Sequence, residues 1–545
     1  MLCVDEYVAM FIKTSIRTKA TGQKYKTHYL VEGYRDKKTG TTKHRYISNL
    51  SSLPDNCLLT LKTALKGGLT EVEKVNLSEL QVLCNKEYGG IKLFQKLYKK
   101  YFGKYFAEEN YNKALEAIVI NKIFNPKSKN SLKSWMEKVD LGYEIHNKND
   151  LYDSLDYLEK ERGQVEKRLS KALRENCSIV LYDITSTYFE GKGSENICKY
   201  GYSRDHRRDR VQVNIGVVTA SDGTPVAVEI MAGNISDKET LQNQVDKIKN
   251  KFGIKQITFV FDRGMKSVVN LKYLQESGYD YVTALSHSEL RKLCKDNQMV
   301  QMSLFDKRDL SEFEIEGKYY SLVHNPMKKD KDTKSRESLI LKTVEKLDKI
   351  KQFKRDYSPM ALQDKVSKVI NKYNCGKFIN YEIEEVDGVD KRSQKKVCGK
   401  LEYSIADDKV AAAEQHDGFY MIESSNKSIQ GKDSVSQYKD LQLVERAFNS
   451  VKNHIKIRPV FHYKESRIKG HIMTCFMSYF LLHKLKQGCS DLLEKHSLDD
   501  ILMELTKIQK NYLKIKNVFF EKITNLSSLG SDILDRFNIH LLCAD

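Results

Sequence analysis

Three carboxylates stand where a carboxylate is costly. Asp183 sits inside the apolar run SIVLYDITSTYFE, Asp262 ends the run QITFVF, and Glu445 lies within YKDLQLVERAFNSVK, residues 438–452. That last stretch reads as one amphipathic helix, because Leu441, Val444, Phe448 and Val451 recur at spacings of three and four and share a face. Glu445 falls inside the stripe, between Val444 and Phe448. A carboxylate beside a buried face must be paired or hold a metal; the plainer alternative is a surface helix with Glu445 at the stripe's edge. Three carboxylates brought to one point repel one another and call for cations. Hard oxygen donors suit Mg2+, for which Mn2+ can substitute. Two such ions about 3.5–4 Å apart can activate a water or a 3′-hydroxyl on one side and stabilise the leaving oxygen on the other, which is the chemistry of phosphodiester cleavage and strand transfer.

The elements around these acids must bring them together. From Ser178 the chain reads as a strand bearing Asp183, then a hairpin of VQVNIGVVTA and TPVAVEIMAG across Ser221-Asp222-Gly223, then a helix opening at Ser236-Asp237. QITFVFDRG is a fourth strand, a further helix runs to Glu276, and YDYVTALS is a fifth strand. The order β-β-β-α-β-α-β is that of a ribonuclease-H-like fold, in which the first and fourth strands are neighbours. Asp183 and Asp262 would then converge, and the 438–452 helix would pack across the same edge. A long stretch intervenes before Tyr438. Lys328–Arg336 (KKDKDTKSR) reads as a charged linker, 338–372 as helical, and KFINYEIEEV with KKVCGKLEYSI as a hairpin, while DGFYMIESS (417–425) reads as a strand returning to the main sheet.

The expected architecture is therefore α+β and multidomain. It comprises a basic β-rich module at 1–57, a helical DNA-binding region at 58–176, a ribonuclease-H-like core at 177–287 and 416–487 interrupted by an inserted subdomain at 288–415, and a helical C-terminal region at 488–545. In the first module Lys24, Lys26, Arg35, Lys37, Lys38, Lys43 and Arg45 interleave with Tyr25, Tyr29, Tyr34 and Tyr46, between turns at Gly22 and Lys38-Thr39-Gly40. This suits either a DNA-contacting sheet or a solvated edge hairpin. In the second, the helix bearing Leu115, Ile118, Val119 and Ile123 stops at Asn125-Pro126, and a short helix carrying Trp135 follows, as a helix-turn-helix or an ordinary helical hairpin. Lys+Arg 92 against Asp+Glu 73 gives a net charge of +19, which points to a polyanion, most often nucleic acid. The 11 cysteines are odd in number and form no CxxC, which fits reduced thiols in a cytoplasmic protein and argues against a zinc site; bound to DNA, such a protein would be nucleoid-associated. The longest apolar run, Ile472 to Leu482, is too short to span a bilayer and reads as a core helix.

Tyr438, Glu445 and Lys452 stand at the spacing Tyr, two residues, one, three residues, Glu, six residues, Lys. With LYDITSTYFEG around Asp183, GYSRDHRRDRVQVNIGVV at 201–218, GTPVAVEIMAGNISDKETL at 223–241, FDRGM at 261–265 and the run from DGFY to HIKIRPVFH, the chain resembles the DDE insertion-sequence transposases that bear a Tyr-Arg-Glu-Lys signature. Leu441 occupies the Arg place of that signature. The resemblance implies a DNA transposase that binds terminal inverted repeats and cuts and joins DNA within a synaptic homodimer. It implies Asp183, Asp262 and Glu445 as the metal-binding triad, and Tyr438 and Lys452 as contacts to the DNA backbone. Arg204, Arg207, Arg208 and Arg210 read as a phosphate clamp, the alternative being a solvated loop that Asp205 and Asp209 part-neutralise; Arg263, beside Asp262, joins the DNA-binding set. His206 is either a proton shuttle or a polar loop residue. In some relatives the insertion offers an aromatic residue to a flipped base, and here Tyr319, Tyr320, Phe353 or Tyr357 would have to serve. Two further readings stay open, a decayed transposase that only binds DNA and a structure-specific nuclease on the same fold.

Overall fold

The structure, a computed structural model, describes residues 7–18, 24–35, 41–66, 80–171, 178–297, 300, 309–352, 357–387 and 397–541. Three antiparallel strands, β1 (Tyr7–Thr18), β2 (Lys24–Arg35) and β3 (Thr42–Asn49), make a small sheet in that order. The expected turns at Gly22 and Lys38-Thr39-Gly40, and Phe353, lie outside the described residues. After the helix Asp55–Leu65 comes β4 (Leu80–Glu87), then the helices Gly89–Tyr101, Glu109–Phe124, Leu132–Met136 and Asp150–Leu169. Residues Ala114 through Ile123 are all buried, so the first helix of this pair is part of the core, while on the second Leu132 and Trp135 are buried and Lys133 and Ser134 exposed.

The second sheet carries the acids. It contains β5 (Ile179–Tyr188), β6 (Gln212–Ala220), β7 (Pro225–Ala232), β8 (Thr258–Phe261), β9 (Asp280–Ala284), β10 (Leu310–Ile315) and β11 (Lys318–His324). After a separate hairpin, β12 (Ile379–Asp387) with β13 (Val397–Ile405), the chain returns as β14 (Phe419–Ser424). The strand order is β10-β11-β14-β9-β8-β5-β6-β7. The helices Asp237–Asp246 and Val268–Glu276 connect β7 to β8 and β8 to β9, as the apolar patterning implied. Strand β5 pairs parallel with β8, and Tyr182 is in register with Phe261. The next residue on each strand is an acid, so Asp183 and Asp262 emerge side by side. Side chains alternate across a strand. Val180, Tyr182 and Ile184 pack on the face covered by the helices 237–246 and 268–276, while Leu181 packs on the other face with Val444, Ala447 and Phe448. Asp183 alternates with Tyr182 and Ile184 and so faces the side on which Glu445 arrives.

Several expectations are corrected. The charged run 328–336 is no linker but the first turns of the helix Pro326–Lys351, begun by Pro326 and by the Asn325 side chain accepting from Lys328 N. Three of its charges have partners: Lys328 pairs with Asp332 at 2.6 Å, and Arg336 is buried and donates to Asp417 at 2.8 Å and to Glu414 at 3.3 Å. Within 288–415, β10 and β11 extend the main sheet, and the part with its own apolar cluster is the arm of helices Pro326–Lys351 and Pro359–Tyr373 with β12 and β13. The C-terminal region is not wholly helical. Between the helices Leu498–Lys507 and Ser528–Arg536, β15 (Gln509–Ile515) and β16 (Val518–Ile523) form a hairpin, and β15 also pairs with β4. The hairpin turns at Lys516, which adopts a positive φ of 52°.

The run Ile472–Leu482 lies in the buried helix Glu465–Gly488, and no helix among the described residues is long and apolar enough to cross a membrane. Cys57, Cys84, Cys198, Cys294, Cys375, Cys398, Cys475 and Cys489 are free thiols. Within this core Lys129 Nζ lies 2.6 Å from His471 Nδ1, and His471 Nε2 lies 3.0 Å from the Ile457 carbonyl. Burial, with Lys122 adding, holds the Lys129 ammonium down at about 7, and burial, with Lys129 adding, keeps His471 well below its ordinary range. Neutral His471 therefore accepts from Lys129 and donates to Ile457. The unfolded chain binds the Lys129 proton more tightly than the folded one between about 7 and 10.5. Stability should rise with pH across that window. Lys129→Met should flatten the rise in thermal unfolding followed against pH; an unchanged slope would remove Lys129 as its source.

Candidate active site

The Glu445 segment is two helices, not one. Gly431–Lys439 ends and Leu441–Asn449 begins at Asp440, where Leu443 N donates to the Asp440 carbonyl at 2.8 Å; a wider turn at Ser450–His454 follows. The break lets Tyr438 and Glu445 approach the strand ends from separate segments. Val444, Ala447 and Phe448 anchor the second helix, Leu441 packs partly against the same core, and Glu445 is exposed.

Asp183 is half-buried and accepts from its neighbour Ile184 N at 2.7 Å. Burial pushes its carboxyl up to about 7; the Ile184 N–H and Arg204 oppose the shift, and the charges of Asp262 and Glu445 add to it. Asp262 is exposed at the end of β8, and the Tyr438 hydroxyl donates to its Oδ1 at 3.0 Å. Burial and then the Asp262 charge keep that phenol protonated. Asp183 thus feels the charge of both other acids, with Tyr438 fixing the orientation of Asp262. Among the described residues no three His, Cys, Asp or Glu side chains stand close enough to enclose a metal ion. The cluster still fits one chemically, because its donors are hard oxygens and its most buried acid carries charge with difficulty until a cation arrives. Beside Asp262 opens a cavity of about 340 Å³ lined by Arg263, His287, Lys328 and Tyr438.

The cations are more committed than their sequence implied. Arg204 donates to both oxygens of Asp237 at 2.6 Å, Arg207 pairs with Asp209 at 2.9 Å, and Arg210 pairs with Glu190 at 3.1 Å. Arg208 is exposed and makes no ion pair among the described residues. Lys452 does not stand free beside the acids. It donates to Asp205 at 2.7 Å, and Arg458 donates to the same Asp205 oxygen. Asp205 is only 2% exposed at its side chain, and its second oxygen has no partner among the described residues. Asp205 and Arg458 are the residues that sequence reasoning missed. The one signal was an acid amid the arginines of RDHRRDR, read only as partial neutralisation. His206 is exposed and adopts a positive φ of 58°, as a turn residue. Of the aromatic residues expected to meet a flipped base, Tyr320 is buried beneath the sheet and Tyr357 packs in the arm.

The model of the transposase DDE domain matches residues 178–481, more than half of the chain, and that of the IS1634 family transposase N-terminal domain matches residues 12–73. The chain belongs to the DDE transposase family. It is a DNA transposase of the insertion-sequence kind, an enzyme class that in general works with divalent metal ions. Among solved structures it is similar to a piggyBac transposase synaptic complex with hairpin DNA, at 8% identity and a TM-score of 0.36 over 85% of this chain and 84% of that one. It is also similar to a Mos1 transposase paired-end complex with the left transposon end, at 12% identity and a TM-score of 0.15 over 42% and 68%. Neither superposition is close enough to carry an argument. No curated protein matches the chain.

Proposed function

We propose that Asp183, Asp262 and Glu445 are the catalytic acids of this transposase, held by a ribonuclease-H-like core formed by 177–287 and 416–487, with 288–415 inserted. The observation that carries the reading is the register of β5 on β8, which sets Asp183 beside Asp262 on the side where the Leu441–Asn449 helix delivers Glu445. Two Mg2+ ions, or Mn2+ in their place, would be held by these three acids and would supply a nucleophile at neutral pH and charge stabilisation for the leaving oxygen. The chain's own groups do the rest. Tyr438 orients Asp262, burial restricts water around Asp183, and Arg263, Arg208 and the Lys452–Arg458 pair on Asp205 offer cations to the DNA backbone. Arg204, Arg207 and Arg210 serve there by exchanging a carboxylate for a phosphate. The substrate is the terminal inverted repeats of the chain's own element, joined to target DNA within a homodimer in the cytoplasm, with the 1–57 and 58–176 regions assisting DNA binding.

The test is divalent-metal-dependent cleavage of a duplex bearing the element's end, wild type beside Glu445→Gln. Cleavage at the end by wild type alone is the expected result. Leu441 in the signature's Arg place favours a second reading, a decayed protein that binds without cutting. Binding without cleavage by both proteins would establish that reading, and equal cleavage by both would remove Glu445 from the site. Cleavage by wild type that ignores the end sequence would mark a structure-specific nuclease.

A further inference from the structure

A second cleft, of about 990 Å³, lies between the helix His287–Asp296 and the arm, where the helices Pro326–Lys351 and Asp407–Glu414 form its far wall. It shares His287 and Phe419 with the cavity beside Asp262, so the two adjoin. Its lining is unbalanced in charge. The three acids are already held: Asp332 by Lys328 at 2.6 Å, and Asp417 and Glu414 by Arg336 at 2.7 and 3.3 Å. Arg291, Lys295, Lys329, Lys377 and Lys409 line the same space, are exposed, and make no ion pair among the described residues. A concave surface lined by one sign of charge focuses its field into the opening. The crowding registers on the groups themselves. Burial, with Arg291 and Arg336 adding, lowers the Lys377 ammonium, and burial, with Lys328, Arg263 and Arg291 adding, lowers His287. An anion seated among these cations would relieve both.

We propose that this cleft is a DNA-backbone track, taking the phosphodiester backbone of the strand that runs from the acids out along the arm. The five cations that make no ion pair among the described residues line the cleft that adjoins the cavity at Asp262. A generally basic surface would not by itself be concave, joined to the acids and cleared of free carboxylates. The proposal rests on the assignment of the acids given above.

The test uses the full-length protein and an end-bearing duplex, with and without a single-stranded overhang beyond the end. Binding is measured against salt for wild type and for the triple variant Arg291→Gln, Lys377→Gln, Lys409→Gln. Each lost phosphate contact flattens the slope of log K on log salt by about 0.9 for duplex and about 0.7 for a single strand. Three lost contacts should therefore flatten it by about 2.7 or about 2.1, which tells the two forms of DNA apart. An unchanged slope and affinity would overturn the proposal. Acetylation of the unmodified protein gives a measurement that no folding defect can blur. Lys295, Lys329, Lys377 and Lys409 should be protected by the duplex, and equal labelling with and without DNA would also overturn the proposal. Protection in a protein whose Asp183→Asn variant still cleaves would leave the track standing and remove the acid assignment. Loss of cleavage in Asp183→Asn without protection of the cleft lysines would do the reverse.

Discussion

Asp183→Asn should lower end cleavage at least ~10³-fold, about 4 kcal/mol or more of transition-state stabilisation, while end binding stays within a few-fold of wild type. The side chain keeps its shape and can still accept from Ile184 N at the same place. It loses the charge a cation needs. Without a cation the wild-type carboxyl is forced up to about 7 by burial, with Asp262 and Glu445 adding to the shift. Removing that charge takes strain out of the folded state, so the variant should melt no lower than wild type. Loss of cleavage together with a lowered melting temperature would instead assign Asp183 a structural part. Retained divalent-metal-dependent cleavage would remove it from the site.

Glu166→Ala should cost about 3–5 kcal/mol of stability, the range for removing one partner of a buried ion cluster. Glu166, on the helix Asp150–Leu169, is fully buried, and it accepts from Lys247 at 2.6 Å, Arg162 at 3.1 Å and Lys251 at 3.1 Å. Lys247 also reaches Glu229 on β7 at 2.9 Å, and both Lys247 and Arg162 donate to the Val228 carbonyl. The cluster clamps the N-terminal helices to the far edge of the acid-bearing sheet, and Ala would leave two nearly buried cations with only the more exposed Glu229 between them. At about 2–4 °C per kcal/mol for a large domain, the midpoint should fall by roughly 10 °C. Burial alone would raise the Glu166 carboxyl, but Lys247 and then Arg162 hold it below its ordinary 4.5. Its contribution is therefore complete above about pH 4.5 and is lost as pH falls through the lower folded value, so the two proteins should converge in acid. A midpoint within 2 °C of wild type at neutral pH would mean that the cluster carries no net stability.

The acid-bearing sheet was legible because its signals are local. Apolar runs with a single acid, a hairpin turn and capped helices come in an order that few folds share, and β5, β6, β7, β8, β9 and β14 follow it. What stayed hidden depends on partners far along the chain. The run KKDKDTKSR looks solvated until Asp417, 81 positions from Arg336, is found paired with that Arg on a helix. The β15–β16 hairpin has an edge position that makes sense only once β4 is found beside it. The break at Asp440 left no mark in the apolar stripe, since Leu441, Val444 and Phe448 keep helical spacing on the second segment alone. At the site, residue types pointed to the acids and to Tyr438. They did not reveal that Asp205 gathers Lys452 and Arg458, because a buried counter-ion among arginines looks in sequence like a solvated loop.

The pairing of β4 with β15 sets a schedule for the newborn chain. Asn85 meets Gln509 across 424 positions, and the N–H groups of Tyr88 and Gly89 both find their acceptor at Ile508. Closing so long a loop is slow, and it cannot start until residue 515 has left the ribosome. The acid-bearing strands β5 to β14 are all made earlier. During synthesis the protein therefore passes through a stage in which the three acids can come together while β4 still waits for its partner strand.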